Sequence, residues 1–278
     1  MDWGPGYRDQ PPPAGLLPSV ACLWARVVGP PADAVAEVLP DACVDLIWEQ
    51  GRGLFVAGPD TGPVPSATPA GTVLAAVRFA PGAAGPALGL PMSELLNQRV
   101  DAADLGTGPA TELARALPGS LAPAQALRVL ARMTGAITAE GPADPLAAHA
   151  ARMLRRPGAQ AEDVAERLDV SERQLRRRCQ AAVGYGPATL RRVLRFRRFV
   201  AWADAGAPGG DLATVAAELG YADQAHLTRE CARLAGLTPA ALLAARRPRV
   251  GPGAERGRAP SGGGREARGW DRQSAGVG

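Results

Sequence analysis

Apolar positions along this chain follow two rhythms. In the first third, short apolar runs at 20–28, 44–48, 54–56 and 72–79 alternate with Gly- and Pro-containing breaks at 29–31, 50–53, 58–59 and 63–69. Runs of that length with β-branched and aromatic content predict strands. Residues 1–20, with Pro11, Pro12 and Pro13, predict an irregular lead-in. Residues 80–108 read as turns around one helix-like piece at 93–98. Beyond that the spacing changes to three and four. Leu113 and Leu117, Leu127 and Leu130, and Leu146 and Met153 predict helices over 109–133 and 143–156. Residues 248–278 are Gly, Arg and Pro with almost no apolar content, a composition that predicts disorder.

The segments 161–190 and 213–242 repeat one another. Val164, Ala165 and Leu168 recur as Val215, Ala216 and Leu219. Leu175 and Cys179 recur as Leu227 and Cys231, and Gly184, Pro187 and Leu190 recur as Gly236, Pro239 and Leu242. Each copy reads as helix, tight turn, helix, then a glycine break and a proline-started third helix. Ser171 and Asp223 stand where a side-chain oxygen is wanted to accept from orphan amides. Gly184 and Gly236 suit the left-handed position after a helix, and Pro187 and Pro239 suit the first turn of the next. This is a helix-turn-helix pattern, whose second helix enters a DNA major groove.

At 100° per residue, Arg173, Arg176, Arg177 and Gln180 fall within about 100° of one another, opposite Leu175, Cys179 and Ala182. Such a stripe suits guanine edges or phosphates through guanidinium and adenine through the amide. It also suits an ordinary solvated face. The matching helix of the second copy packs through Leu227, Cys231 and Leu234 and turns out Gln224, Ala225, Arg229 and Arg233. His226, at the edge of that face, reads as a structural hydrogen-bond partner. Between the copies, 187–205 predicts one helix of about 28 Å, close to the about 34–36 Å between successive major-groove segments. Leu194, Val200 and Trp202 supply its packing. Arg191, Arg192, Arg195, Arg197 and Arg198 are expected to supply backbone contacts or solubility.

Charge sharpens this division. All 31 basic residues are Arg. Residues 1–150 carry 8 Arg against 14 acidic residues, whereas 151–278 carry 23 against 13. An acidic front joined to a basic back points the back at a polyanion.

Residues 160–247, about 88 of the 278, resemble the DNA-binding domain of the AraC/XylS family of transcription regulators. The resemblance is carried most closely by 215–239, VAAELGYADQAHLTRECARLAGLTP. It implies two helix-turn-helix units on successive major-groove segments of double-stranded DNA. By position, the DNA-facing residues are then Arg173, Arg176, Arg177 and Gln180 in the first unit and Gln224, Ala225, Thr228 and Arg229 in the second. Cys179, Cys231 and Leu227 stand where the family prefers Phe, and Ala225 replaces a polar residue. In the front half, LPDACVDLIW at 39–48, VAGPD at 56–60 and VRFAPG at 77–82 resemble an uncharacterised N-terminal domain of actinobacterial members. That resemblance implies a small, barrel-like β-rich fold for effector sensing or dimerisation.

Asp41, Cys43 and Asp45 alternate, so a strand would place all three on one face. They read either as pocket lining for a polar or cationic effector, or as a turn leading into a strand with Cys43 an ordinary small residue. Asp60 and Arg78 are further pocket candidates, because an Arg between Val77 and Phe79 needs a partner if buried.

The fold class expected is multidomain: a β-rich α+β N-terminal domain, then an all-α domain of two helix-turn-helix units joined by a long helix. The boundaries are 1–108 for the sensor or dimerisation domain, 109–157 for a helical connector, 158–247 for the double helix-turn-helix domain and 248–278 for the tail. The function expected is that of a sequence-specific transcription regulator, not an enzyme, with duplex DNA as partner. A small-molecule effector, RNA polymerase and a second copy of the chain are further partners this reading admits. No cofactor or metal is expected, since His149 and His226 lie in different regions without a Cys/His cluster. No apolar run approaches the about 18 residues of a membrane span, no secretory leader is read, and four scattered cysteines suit a reducing cytoplasm. The rival reading is a DNA-alkylation-repair methyl acceptor using Cys22 or Cys43.

Overall fold

The computed structural model describes residues 6–246 apart from 18, 31–36, 66–67, 118, 120, 141–143 and 208. The segment 248–278, read above as a disordered tail, lies outside the described residues. Among the described residues, eight strands come first: β1 (Gly6–Gln10), β2 (Val20–Val27), β3 (Glu37–Val38), β4 (Val44–Glu49), β5 (Gly53–Ala57), β6 (Val64–Pro65), β7 (Val73–Phe79) and β8 (Arg99–Asp101). Six form one antiparallel sheet in the order β1-β2-β7-β4-β5-β8, and β3 pairs with β6 separately. The large sheet is open, with β1 and β8 as its edges.

Register sorts the residues onto two faces, because directly paired residues share a face. Leu23, Val77, Leu46 and Val56 pair in one row across the sheet. With Val44, Trp48, Ala75 and Phe79 they form the main core. The row Trp24, Ala76, Ile47 and Phe55 occupies the other face as a smaller apolar cluster. The next row out on that face is Cys22, Arg78 and Asp45.

Helices cover the main-core face. α1 (Gly85–Leu88) precedes a 3-10 turn at Met92–Leu95, where a helix-like piece was expected at 93–98. α2 (Pro109–Ala116) and α3 (Pro123–Glu140) follow, and their Ala110, Leu113, Leu127, Leu130 and Ile137 join the sheet core. α4 (Pro145–Leu154) instead gives Ala150, Ala151 and Leu154 to a second core with the remaining helices. The stretch between the sheet and the repeats thus divides its helices between two cores.

The repeats fold as the spacing predicts. α5 (Ala161–Arg167), α6 (Glu172–Val183) and the long α7 (Pro187–Asp204) form the first copy, and α8 (Leu212–Glu218), α9 (Gln224–Ala235) and α10 (Pro239–Arg246) form the second. The 18 residues of α7 span about 27 Å. Leu190, Val193, Leu194, Phe196, Phe199 and Val200 bury its apolar face in the second core.

The two cores meet at the end of α6. Gly184 caps α6 at φ 96°. A Cβ there would sit 2.5 Å from Cγ of Pro59 and 3.0 Å from the Met92 carbonyl oxygen. Ala42, from the loop before β4, is buried in the helical core. Gly184→Ala therefore combines a left-handed backbone with a direct clash against the sheet domain. We expect it to lower stability by about 1–3 kcal/mol. Urea denaturation checks this, and an unchanged midpoint refutes it.

Candidate nucleic-acid interface

Each second helix of the repeats is built to be rigid and to present one face. α6 opens with a capping box: Ser171 Oγ accepts from the Gln174 amide at 3.2 Å, and Gln174 Oε1 accepts from the Ser171 amide at 2.9 Å. α9 opens with Asp223 Oδ1 accepting from the His226 amide at 2.6 Å. Both end on left-handed glycines, Gly184 and Gly236.

The buried side of α6 is Leu175, Cys179 and Val183. Arg173, Arg176, Arg177 and Gln180 are exposed. Among the described residues, no ion pair or hydrogen bond engages the three guanidinium groups. Arg178, one step round the helix, is different: it ion-pairs with Asp144 at the start of α4 at 3.0 Å. On α9, Leu227, Cys231 and Leu234 are buried as expected, together with Glu230, a charged residue that periodicity alone does not flag. Gln224, Ala225 and Arg229 are exposed. Thr228 is half-buried, and its hydroxyl donates to the Gln224 carbonyl at 2.9 Å.

The α7 arginines depart from expectation. Arg195, expected on a solvated or DNA-facing side, is buried at 8% exposure. Its Nε donates to Glu230 Oε2 at 3.2 Å and its Nη1 to the Gly220 carbonyl at 3.1 Å, and its guanidinium lies 4.5 Å from the Tyr221 ring centre. Nη2 bonds Glu230 Oε1 and lies 3.1 Å from His226 Nε2. His226 is thus a structural partner. Arg198 donates to the carbonyls of Arg155 and Leu219, at 3.0 and 3.1 Å. Arg191 donates to the Ala159 carbonyl at 3.2 Å and bonds the Gln160 side chain.

In the sheet domain, Asp41, Cys43 and Asp45 do not alternate along a strand. β4 begins only at Val44, and Ala42 has a left-handed φ of 66°. Asp41 closes a turn by accepting from the Cys43 amide at 2.9 Å. The turn still brings Asp41 to Arg78, at 3.1 Å, while Asp45 takes both arms of that guanidinium at 2.8 and 2.7 Å. Asp60 pairs instead with Arg99, at 3.0 and 2.6 Å. Burial and the Asp41 carboxylate push the Cys43 thiol well above its usual range, and burial also raises Cys22. In the repeats, burial pushes Cys179 up to about 11 and Cys231 up to about 12. No group of three or more metal-ligating side chains occurs among the described residues.

Residues 164–245 match the family model of a helix-turn-helix domain. This is an AraC-type helix-turn-helix domain. Residues 8–101 match a domain of unknown function, DUF6597. No curated protein sequence matches the chain. Among solved structures, ToxT from Vibrio cholerae O395 aligns over 77% of this chain and 93% of its own, at 9% identity and a TM-score of 0.41. A second crystal form of Vibrio cholerae ToxT covers 85% and 97%, at 7% identity and 0.42. Unsaturated fatty acid bound ToxT from Vibrio cholerae strain SCE256 covers 76% and 89%, at 9% identity and 0.38. Likeness this loose carries no residue or ligand across. The AraC-type domain spans α5 to α10, so the exposed arginine face of α6 and the capped α9 are its two second helices. No described helix is long and apolar enough to cross a membrane.

Proposed function

We propose that this chain is a sequence-specific transcription regulator that lays α6 and α9 into double-stranded DNA. One observation carries the reading: three exposed arginines that no ion pair or hydrogen bond engages among the described residues line one face of a doubly capped second helix, and an AraC-type second copy follows it in the chain. Arg173, Arg176, Arg177 and Gln180, then Gln224, Ala225 and Arg229, face the bases or phosphates. Thr228 contributes through its methyl group, because its hydroxyl is held by its own helix. On α9 the corresponding polar readers are Gln224, Arg229 and, in the last turn, Arg233, against three arginines and an amide on α6, so the first unit supplies most of the sequence discrimination.

The sheet domain at 1–108 is the effector-sensing or pairing half, and 158–247 is the reading half. We place the handover in 109–157 between α3 and α4, because those helices bury themselves in different cores. Asp41, Asp45 and Arg78 are the polar network an effector would meet on the second face of the sheet, with Cys43 on the adjoining turn. RNA polymerase and a second copy of the chain complete the partners, and the cytoplasm is the setting. The methyl-acceptor alternative needs an activated thiolate, whereas Cys22 and Cys43 are held toward the neutral thiol.

Selection of bound sites from random duplex DNA tests this. We expect a bipartite consensus whose first half carries more information than its second. Log affinity should fall linearly with log salt as phosphate counterions are released. Recovery of unenriched DNA refutes sequence-specific binding.

A further inference from the structure

Three arginines expected to supply backbone contacts or solubility are instead turned into the protein, and their spacing is regular. Arg191, Arg195 and Arg198 lie at i, i+4 and i+7 on α7, within about 60° of helix surface. Each reaches a different joint. Arg191 holds the Ala159–Gln160 backbone and side chain at the start of α5. Arg198 joins the Arg155 carbonyl, just past α4, to the Leu219 carbonyl, just past α8. Arg195 joins the Gly220 carbonyl in the turn between α8 and α9 to Glu230 and His226 on α9 itself. The joints also touch one another, since a Cβ on Gly220 would lie 3.3 Å from the Gly158 amide nitrogen.

Stability alone does not explain this construction. Burying Arg195 and Glu230, at 8% and 5% exposure, costs desolvation that an apolar pair of similar volume avoids. What an apolar pair lacks is direction. A planar guanidinium with five donors fixes several partners at set angles, and here they come from the turn and the helix it introduces. We infer that the arginine row of α7, and the Arg195–Glu230 pair above all, is a positioning device that sets the angle of α9 relative to α6. It thereby makes the protein selective for the separation of its two half-sites. This rests on the DNA-reading function proposed above.

The half-sites and their separation are first obtained by selection with the wild-type chain. Duplexes are then made with one base pair inserted or deleted between the halves, each change turning one half by about 35° about the DNA axis. We expect wild-type affinity to fall at least about 10-fold on either altered duplex, the loss of about one helix-orienting contact. In Arg195→Lys, which keeps the charge and loses the fork, the penalty should shrink to within about 3-fold. Affinity for the first half-site alone should be unchanged. If Arg195→Lys does not fold, Glu230→Gln carries the same measurement, since Arg195 then keeps the Gly220 carbonyl and the Tyr221 ring. A full spacing penalty in the folded variant overturns the inference, as does an equal loss at every separation. A wild-type selection that returns only one half-site overturns it while leaving DNA binding intact. A selection that enriches nothing overturns both.

Discussion

Replacing Arg173, Arg176 and Arg177 together with alanine is expected to abolish site-specific DNA binding while leaving the fold intact. Each contact that reads a base is worth about 1–3 kcal/mol, or roughly 5- to 150-fold in affinity. The three single variants therefore rank the readers, and the triple variant falls to the non-specific level. The fold should survive because none of the three guanidinium groups has a partner within the described protein. Alanine is also the best helix former, so α6 itself should lose nothing. A gel-shift or anisotropy titration against cognate and random duplex, beside a thermal melt, checks both halves. A reader of bases loses more on cognate than on random DNA. An arginine that touches only phosphate loses equally on both and lowers the salt slope by about one. Unchanged cognate affinity in the triple variant would remove α6 from the interface.

The second large effect lies in the sheet domain. Asp45→Ala leaves Arg78 on the second sheet face without its bidentate partner, and Asp41 at 3.1 Å remains as a single replacement. Removing one member of a buried pair costs about 3–5 kcal/mol, and the remaining Asp41 puts the expected loss near the lower end, about 3 kcal/mol. The double variant Asp45→Leu/Arg78→Met should recover most of it, since an apolar pair fits the neighbouring Trp24, Ile47 and Ala76. Urea denaturation of the two single variants and the double gives the coupling. Additive losses would show that the pair is not the unit holding this face. The same double variant separates architecture from sensing: an effector that binds it as well as wild type does not use the Asp41–Arg78–Asp45 network.

Much of the helical half is legible from spacing because its signals are local. Ser171 three residues before Gln174, glycines after the second helices and prolines opening the third are each decided within one turn of chain. The buried stripes of Leu175 and Cys179, and of Leu227, Cys231 and Leu234, follow from the 3.6-residue period. The central strands are legible for the same reason. β1 is not, because all five of its residues are exposed and its strand character comes only from pairing with β2. The alternation of Asp41, Cys43 and Asp45 misleads, since the left-handed Ala42 breaks the strand rhythm before it starts.

The amino-acid order by itself therefore determines two capped second helices, the rod between them and the arginine face of α6. Tertiary structure alone decides which arginines are free. Arg177 and Arg195 are the same residue type on equally helical backbone, yet one is exposed and the other buried against Glu230. A guanidinium left to itself prefers water, and burial costs desolvation. Its fate is set by whether the fold brings a compensating charge and carbonyls within reach, here from a segment 35 residues away.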